Sequence, residues 1–165
     1  MKKDGDIYLR NVVFGISDSL VSTVGLLSGA AAGGIPRQTL VLTGIIYAFV
    51  EAFSMAVGSY LSEQSTEEYA VRGETSNQRP LLGGVIMFLS FILVSFIPIL
   101  PYLLFNADIA LWVSIVASVL ALFIVGSISA KITNVKILSH AFKMALLGGA
   151  AIVLGVIVGK FVKAA

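Results

Sequence analysis

The sequence predicts an all-α integral membrane protein, a single domain of five transmembrane helices with its N-terminus cytoplasmic. Three observations carry that prediction. Of 165 residues, 58% are hydrophobic and 12% charged, against about 45–50% and about 25% in ordinary soluble domains. Five apolar runs are each long enough to cross a hydrocarbon core of about 30 Å, which takes about 20 helical residues. Lys and Arg are also distributed unevenly between the two ends of those runs.

The first run extends from Val12 to Ala32 and is closed by Gly33, Gly34 and Pro36. The second, Leu40 to Leu61, is followed by the polar stretch Ser62 to Pro80, read as a short cytoplasmic connection. The third covers Leu81 to Phe105, with Pro98 and Pro101 expected to kink its outer end. Asn106 to Asp108 separates it from the fourth, Ile109 to Ala130, and Lys131 to Lys143 leads into the fifth, Met144 to Val162. Barrel strands would instead read as segments of about ten residues with alternating polarity. At the start, Lys2 and Lys3 mix with Asp4 and Asp6, and no small-residue cleavage site follows a short apolar core, so the first run is expected to remain as a mature helix.

Short loops rich in Lys and Arg stay in the cytoplasm. With the N-terminus inside, that side holds Lys2, Lys3, Arg10, Arg72, Arg79, Lys131, Lys136 and Lys143, leaving only Arg37, Lys160 and Lys163 outside. The net charge of +2 therefore reads as topology, and no basic stripe interleaved with aromatics points to nucleic acid. The absence of cysteine excludes disulfides, thiolate metal sites and iron–sulfur clusters. No nucleophile and base constellation, phosphate loop or zinc spacing stands out, so neither an enzyme nor a prosthetic group is expected. The environment expected is a multi-pass position in a prokaryotic plasma membrane, with a vacuolar or other organellar membrane as the alternative.

Ionisable side chains inside a bilayer cost a few kcal/mol or more at its centre, which makes each one a functional candidate. Two qualify, Asp18 and Glu51. At about 1.5 Å rise per residue, Asp18 lies about 9 Å inside the cytoplasmic edge and Glu51 near the midplane at about 15 Å, while Met55 shares the depth of Asp18. Residues three and four apart stack on one helical face. On the second helix that face reads Glu51, Ser54, Met55, Gly58, Ser59 and Ser62; on the first it reads Asn11, Gly15, Asp18, Ser22, Gly25, Gly29 and Gly33. Two polar seams, each with a carboxylate, are expected to face each other or a shared cavity. The run Gly25, Gly29, Gly33 is a tandem GxxxG, offered as a dimer seam, with packing inside one chain as its alternative.

Carboxylate oxygens bind divalent cations, and a thioether biases the choice toward transition metals. Asp18, Glu51 and Met55 are thus the expected metal ligands, with Ser22, Ser54 and Ser59 as weaker candidates. In a low dielectric a carboxyl group is cheaper neutral than ionised, and two neighbouring carboxylates repel. The pair can hold protons that an arriving cation displaces, which is the basis of metal/proton exchange. A structural polar pair holding helices together is the alternative. Glu63, Glu67, Glu68 and Glu74 follow the second helix, as a solvated extension or a funnel for cations.

Several segments resemble the vacuolar iron transporter family: Gly-Ile-Ser-Asp-Ser-Leu at 15–20, Ala-Phe-Ser-Met and Gly-Ser-Tyr-Leu across 52–61, Phe-Ile-Pro-Ile-Leu-Pro-Tyr-Leu-Leu at 96–104, and Ala-Leu-Phe-Ile-Val-Gly at 121–126. The resemblance implies a five-helix protomer, a homodimer with the pathway along its interface, and export of Fe²⁺, Mn²⁺ or similar metal from the cytoplasm in exchange for protons. It matches Asp18 and Met55 to pathway residues and places the family's second-helix glutamate at Tyr47, one turn from Glu51. It also implies that a cytoplasmic metal-binding domain, inserted between helices two and three in better-known members, is reduced here to residues 62–80. Two rivals remain: a proton-coupled carrier or channel for another solute, and a non-transporting membrane assembly partner.

Overall fold

A computed structural model describes residues 2–164, all of them helical apart from short connections. The elements are α1 (Lys2–Ala32), α2 (Arg37–Val71), α3 (Gln78–Leu104), α4 (Ala107–Ile132) and α5 (Ile137–Ala164). Each is long and apolar enough to cross a membrane. The helical choice follows from the solvent: lipid offers no hydrogen bonds, so every backbone N–H and C=O in a span must be satisfied within it.

The helices are longer than the apolar runs that announced them. α2 continues through Val71, about ten residues or about 15 Å beyond Leu61. Of the stretch expected as a connection, only 72–77 is non-helical. α5 likewise starts at Ile137, so the second half of the stretch from Lys131 to Lys143, His140 included, is helical.

Local chemistry ends each helix. After α1, Gly34 adopts φ +86, a left-handed conformation that costs glycine little. There Ile35 N–H reaches the Ala30 carbonyl at 3.1 Å and Gly34 N–H the Ala31 carbonyl at 2.9 Å, a Schellman closure. Asn134 (φ 54) closes α4 in the same way, with Val135 N–H on the Ala130 carbonyl at 3.0 Å. α3 runs through Pro98 and Pro101 to Leu104. Each proline lacks an N–H for the preceding turn, and side chains from other helices bind carbonyls nearby: Ser114 Oγ donates to Pro98 O at 2.8 Å, and Arg37 Nε and Nη2 donate to Tyr102 O and Leu103 O at 2.6 Å each.

α1 is the central helix and touches all four others. Half of its most apolar stretch (50%) is buried, against 11% for α5, which leaves α5 the helix most open to lipid. α2 lies chiefly on α3, and α4 bridges α3 and α5. Leu27, Leu40, Ala48, Ala52, Phe91, Ile99 and Tyr102 form the main core where α1, α2 and α3 meet. The end of the bundle carrying the start of α1 and the α2–α3 connection is termed proximal below, and the opposite end distal.

The glycine run of α1 takes its partner from the same chain. A methyl on Gly29 would lie 2.5 Å from the Gly155 carbonyl oxygen, and methyls on Gly155 and Gly159 would strike the carbonyls of Gly25 and Gly29. Gly25, Gly29 and Gly33 therefore form the crossing of α1 with α5. The proposed use of this seam between protomers is corrected on that ground, because backbone already fills the space the glycines leave.

Candidate metal pathway

The proximal half of α1 is oriented by one buried bond. Ser19 Oγ donates to Phe91 O on α3 at 2.8 Å, between two fully buried residues. Successive helical residues point about 100° apart, so fixing Ser19 on α3 turns Asp18 away from that helix. Gly15, one turn below, lets α3 close in: a methyl there would be 3.0 Å from Ser90 Cβ and 3.1 Å from Met87 Sδ.

Asp18 then lies within electrostatic reach of Glu51. Tyr47, one turn distal on the same face of α2, feels both carboxylates, and its hydroxyl meets that of Ser22. Ser22 Oγ also donates to the Asp18 backbone carbonyl at 2.6 Å. The two polar seams thus converge, bringing Asp18, Ser22, Tyr47 and Glu51 into one group. Asp18 also lines a cavity of about 210 Å³ with Phe14, Ser17, Val21, Leu122, Met144 and Leu147, between α1, α4 and α5. Both carboxylates are only partly buried within the chain.

Met55 belongs to the next compartment. It lines a cavity of about 660 Å³ on the proximal side, walled by Asn11, Ser54, Gly58, Ser59, Ser62 and Met87, with Arg10 and Phe14 at its edge. Ser59 Oγ donates to Asn11 Oδ1 at 3.1 Å across the α1–α2 gap. Phe14 lines both cavities and stands between them.

Three acidic residues beyond Leu61, Glu63, Glu67 and Glu68, are individually engaged. Glu63 is 6% exposed and accepts from Arg10 Nη2 at 2.8 Å. Glu67 pairs with Arg79 at 3.6 Å, and Glu68 accepts from Gln64 Nε2 at 2.9 Å. The buried Glu63 corrects the picture of a uniformly solvated extension: its ion pair ties the α2 overhang to α1. Among the described residues no three of His, Cys, Asp and Glu converge, so a cation held here would have to draw on two carboxylates and neutral donors. Sequence reasoning missed the Arg10–Glu63 pair, whose members stand 53 residues apart. It also missed Met87, which nothing in its apolar surroundings distinguishes from filler.

A sequence model of the VIT family matches residues 9–79 and 67–160. Over 74 residues the chain is 28% identical to vacuolar iron transporter 1 of Tulipa gesneriana, a match covering 45% of this chain and 30% of that protein. It is 28% identical over 153 residues to vacuolar iron transporter homolog 4 of Arabidopsis thaliana, covering 86% of this chain and 77% of the plant protein. An uncharacterized protein of Methanocaldococcus jannaschii is 24% identical over 159 residues, covering 86% and 83% of the two chains.

Proposed function

This chain belongs to the VIT family, whose members are transporters and not enzymes, and from that membership we propose that it moves Fe²⁺ or Mn²⁺ out of the cytoplasm in exchange for protons. The proposal is carried by two carboxylates at membrane depth on neighbouring helices, Asp18 on α1 and Glu51 on α2, within electrostatic reach of each other. Among the described residues neither carboxylate has a cationic partner, so balancing charge must come from protons or from a bound cation. A divalent metal supplies both charges at once, and its binding expels whatever protons the pair holds. Metal and protons then compete for one place, and a pH gradient can drive one against the other. Tyr47 and Ser22 add neutral oxygens, and Met55 a soft donor one turn along the route.

Orientation follows the distribution of Lys and Arg, which favours the proximal end in the cytoplasm. Partly exposed carboxylates facing lipid would be expensive, which supports a homodimer closed over the α1–α2 face, with the pathway between protomers. The membrane we assign is a prokaryotic plasma membrane, with a vacuolar or other organellar membrane as the alternative.

The test is Fe²⁺ flux into proteoliposomes under an imposed pH gradient, comparing the native chain with Asp18→Asn and Glu51→Gln. Flux that follows the gradient and collapses in both variants is the expected result. Undiminished flux in the variants would remove Asp18 and Glu51 as ligands. Flux of no metal in the native chain, with oligomer stability altered by the same substitutions, would favour an assembly role.

A further inference from the structure

Met87 and Asn11 are buried, chemically equipped side chains that the carboxylate pair does not use. Asn11 is 2% exposed and its Nδ2 has no hydrogen-bond partner, while its Oδ1 accepts from Ser59. A buried amide left half-satisfied calls for a ligand, and the two ends of a carboxamide exchange by a half-turn about the last side-chain bond. The Ser59 hydroxyl can serve either end, so Asn11 can offer its oxygen to a cation. Met87 is also 2% exposed, and it lines the same cavity as Met55.

Two glycines clear space for these groups. A methyl on Gly83 would come to 2.9 Å of Asn11 Nδ2, and one on Gly15 to 3.1 Å of Met87 Sδ. Among the described residues the cavity walls include no carboxylate, and Arg10 is held by Glu63 at 2.8 Å. Along α1, Asn11 lies seven residues or about 10 Å proximal to Asp18; along α2, Met55 lies about 6 Å proximal to Glu51.

We propose that Met55, Met87 and Asn11 form a second, carboxylate-free metal site in this cavity, selective for soft and borderline divalent cations, from which the ion passes to Asp18 and Glu51. The passage rests on the transport function proposed above; the site itself does not. The two thioethers discriminate by softness, favouring Cd²⁺ and Fe²⁺ over Mn²⁺, while the Asn11 oxygen adds a neutral hard donor. Because neither donor carries a proton at neutral pH, loading of this site is insensitive to pH. Competition with protons begins only at the carboxylates.

The decisive measurement uses Cd²⁺ as probe on the purified full chain carrying Asp18→Asn and Glu51→Gln together. X-ray absorption at the cadmium edge is expected to show bound Cd²⁺ with sulfur among its nearest neighbours. A sulfur-free shell, or no bound Cd²⁺, overturns the site. In proteoliposomes, Met87→Leu, a substitution of similar volume, is expected to raise the Cd²⁺ concentration that halves Mn²⁺ flux by about tenfold. Unchanged competition overturns the role of Met87. If the native chain moves no metal yet Cd²⁺ still binds through sulfur, the site stands and the transport function falls.

Discussion

One stripe of polar and small residues runs the length of α1, and its two halves meet different fates. Distally, Gly25, Gly29 and Gly33 press against Ala151, Gly155 and Gly159 until backbone touches backbone. Proximally, Asn11 faces α2 across one cavity and Asp18 lines another beside α4 and α5, and α1 touches α2 less than any other neighbour. Small residues without side-chain chemistry closed one half; side chains that need partners held the other apart. A helix can therefore be both the anchor of a bundle and the wall of a pathway, provided the two tasks are separated along its length.

The difference breaks most severely at Gly159. Leucine there must displace the Gly29 backbone, and overpacking of a tight contact costs about 1–3 kcal/mol, occasionally more, which lowers the melting temperature by on the order of 10 °C for a chain of this size. Thermal unfolding of the detergent-solubilised protein checks this, and an unchanged midpoint would show that the seam does not hold α1 to α5. The proximal half should respond in the opposite sense. Asp18→Asn is expected to cut metal flux by on the order of 10–100-fold, as loss of a metal-supporting group does, while leaving the midpoint within about 2 °C.

A smaller effect sharpens where the open half is tied. The Arg10 side chain is 59% exposed and that of Glu63 8%, so solvent screens the pair from one side and its loss should cost about 1 kcal/mol. Arg10→Gln is expected to lower the midpoint by about 3 °C, with part of the loss recovered when Glu63→Gln is added, because the second change removes the stranded charge. Least of all should the protomer feel Gly58→Leu, since nothing lies within 4 Å of a methyl placed there. If a second copy covers this face, the same substitution lowers the dimer fraction in size-exclusion chromatography with light scattering. An unaltered dimer would place the interface elsewhere.

The five helices were legible because apolar length alone decides what can cross a bilayer, as in the uninterrupted run from Leu81 to Leu104. Their ends were less so. α2 past Leu61 is polar, and its attachment rests on Glu63 meeting Arg10, a contact that no local pattern encodes. Asp18 and Glu51 stood out because charge at membrane depth is costly wherever it points. The glycine run announced close approach but could not name its partner, since GxxxG describes a surface and leaves open whose backbone arrives. Met87 was invisible for the converse reason: its chemistry emerges only once Gly15 lets its sulfur stand against α1.

The overhang of α2 ends at Arg72 in a left-handed conformation (φ 56), where the N–H groups of Arg72 and Gly73 both fold back onto the Glu68 carbonyl. The helix is thus sealed before the exposed turn at 72–74, and α3 begins afresh at Gln78. A sealed end followed by a free turn behaves as a graft junction. Extra chain spliced there costs little more than loop-closure entropy, about 0.6 kcal/mol for each doubling of its length, and leaves the α2–α3 contact beneath it undisturbed. Evolution, or a protein engineer, can add a sensing or capture module at this one point and keep the same membrane engine.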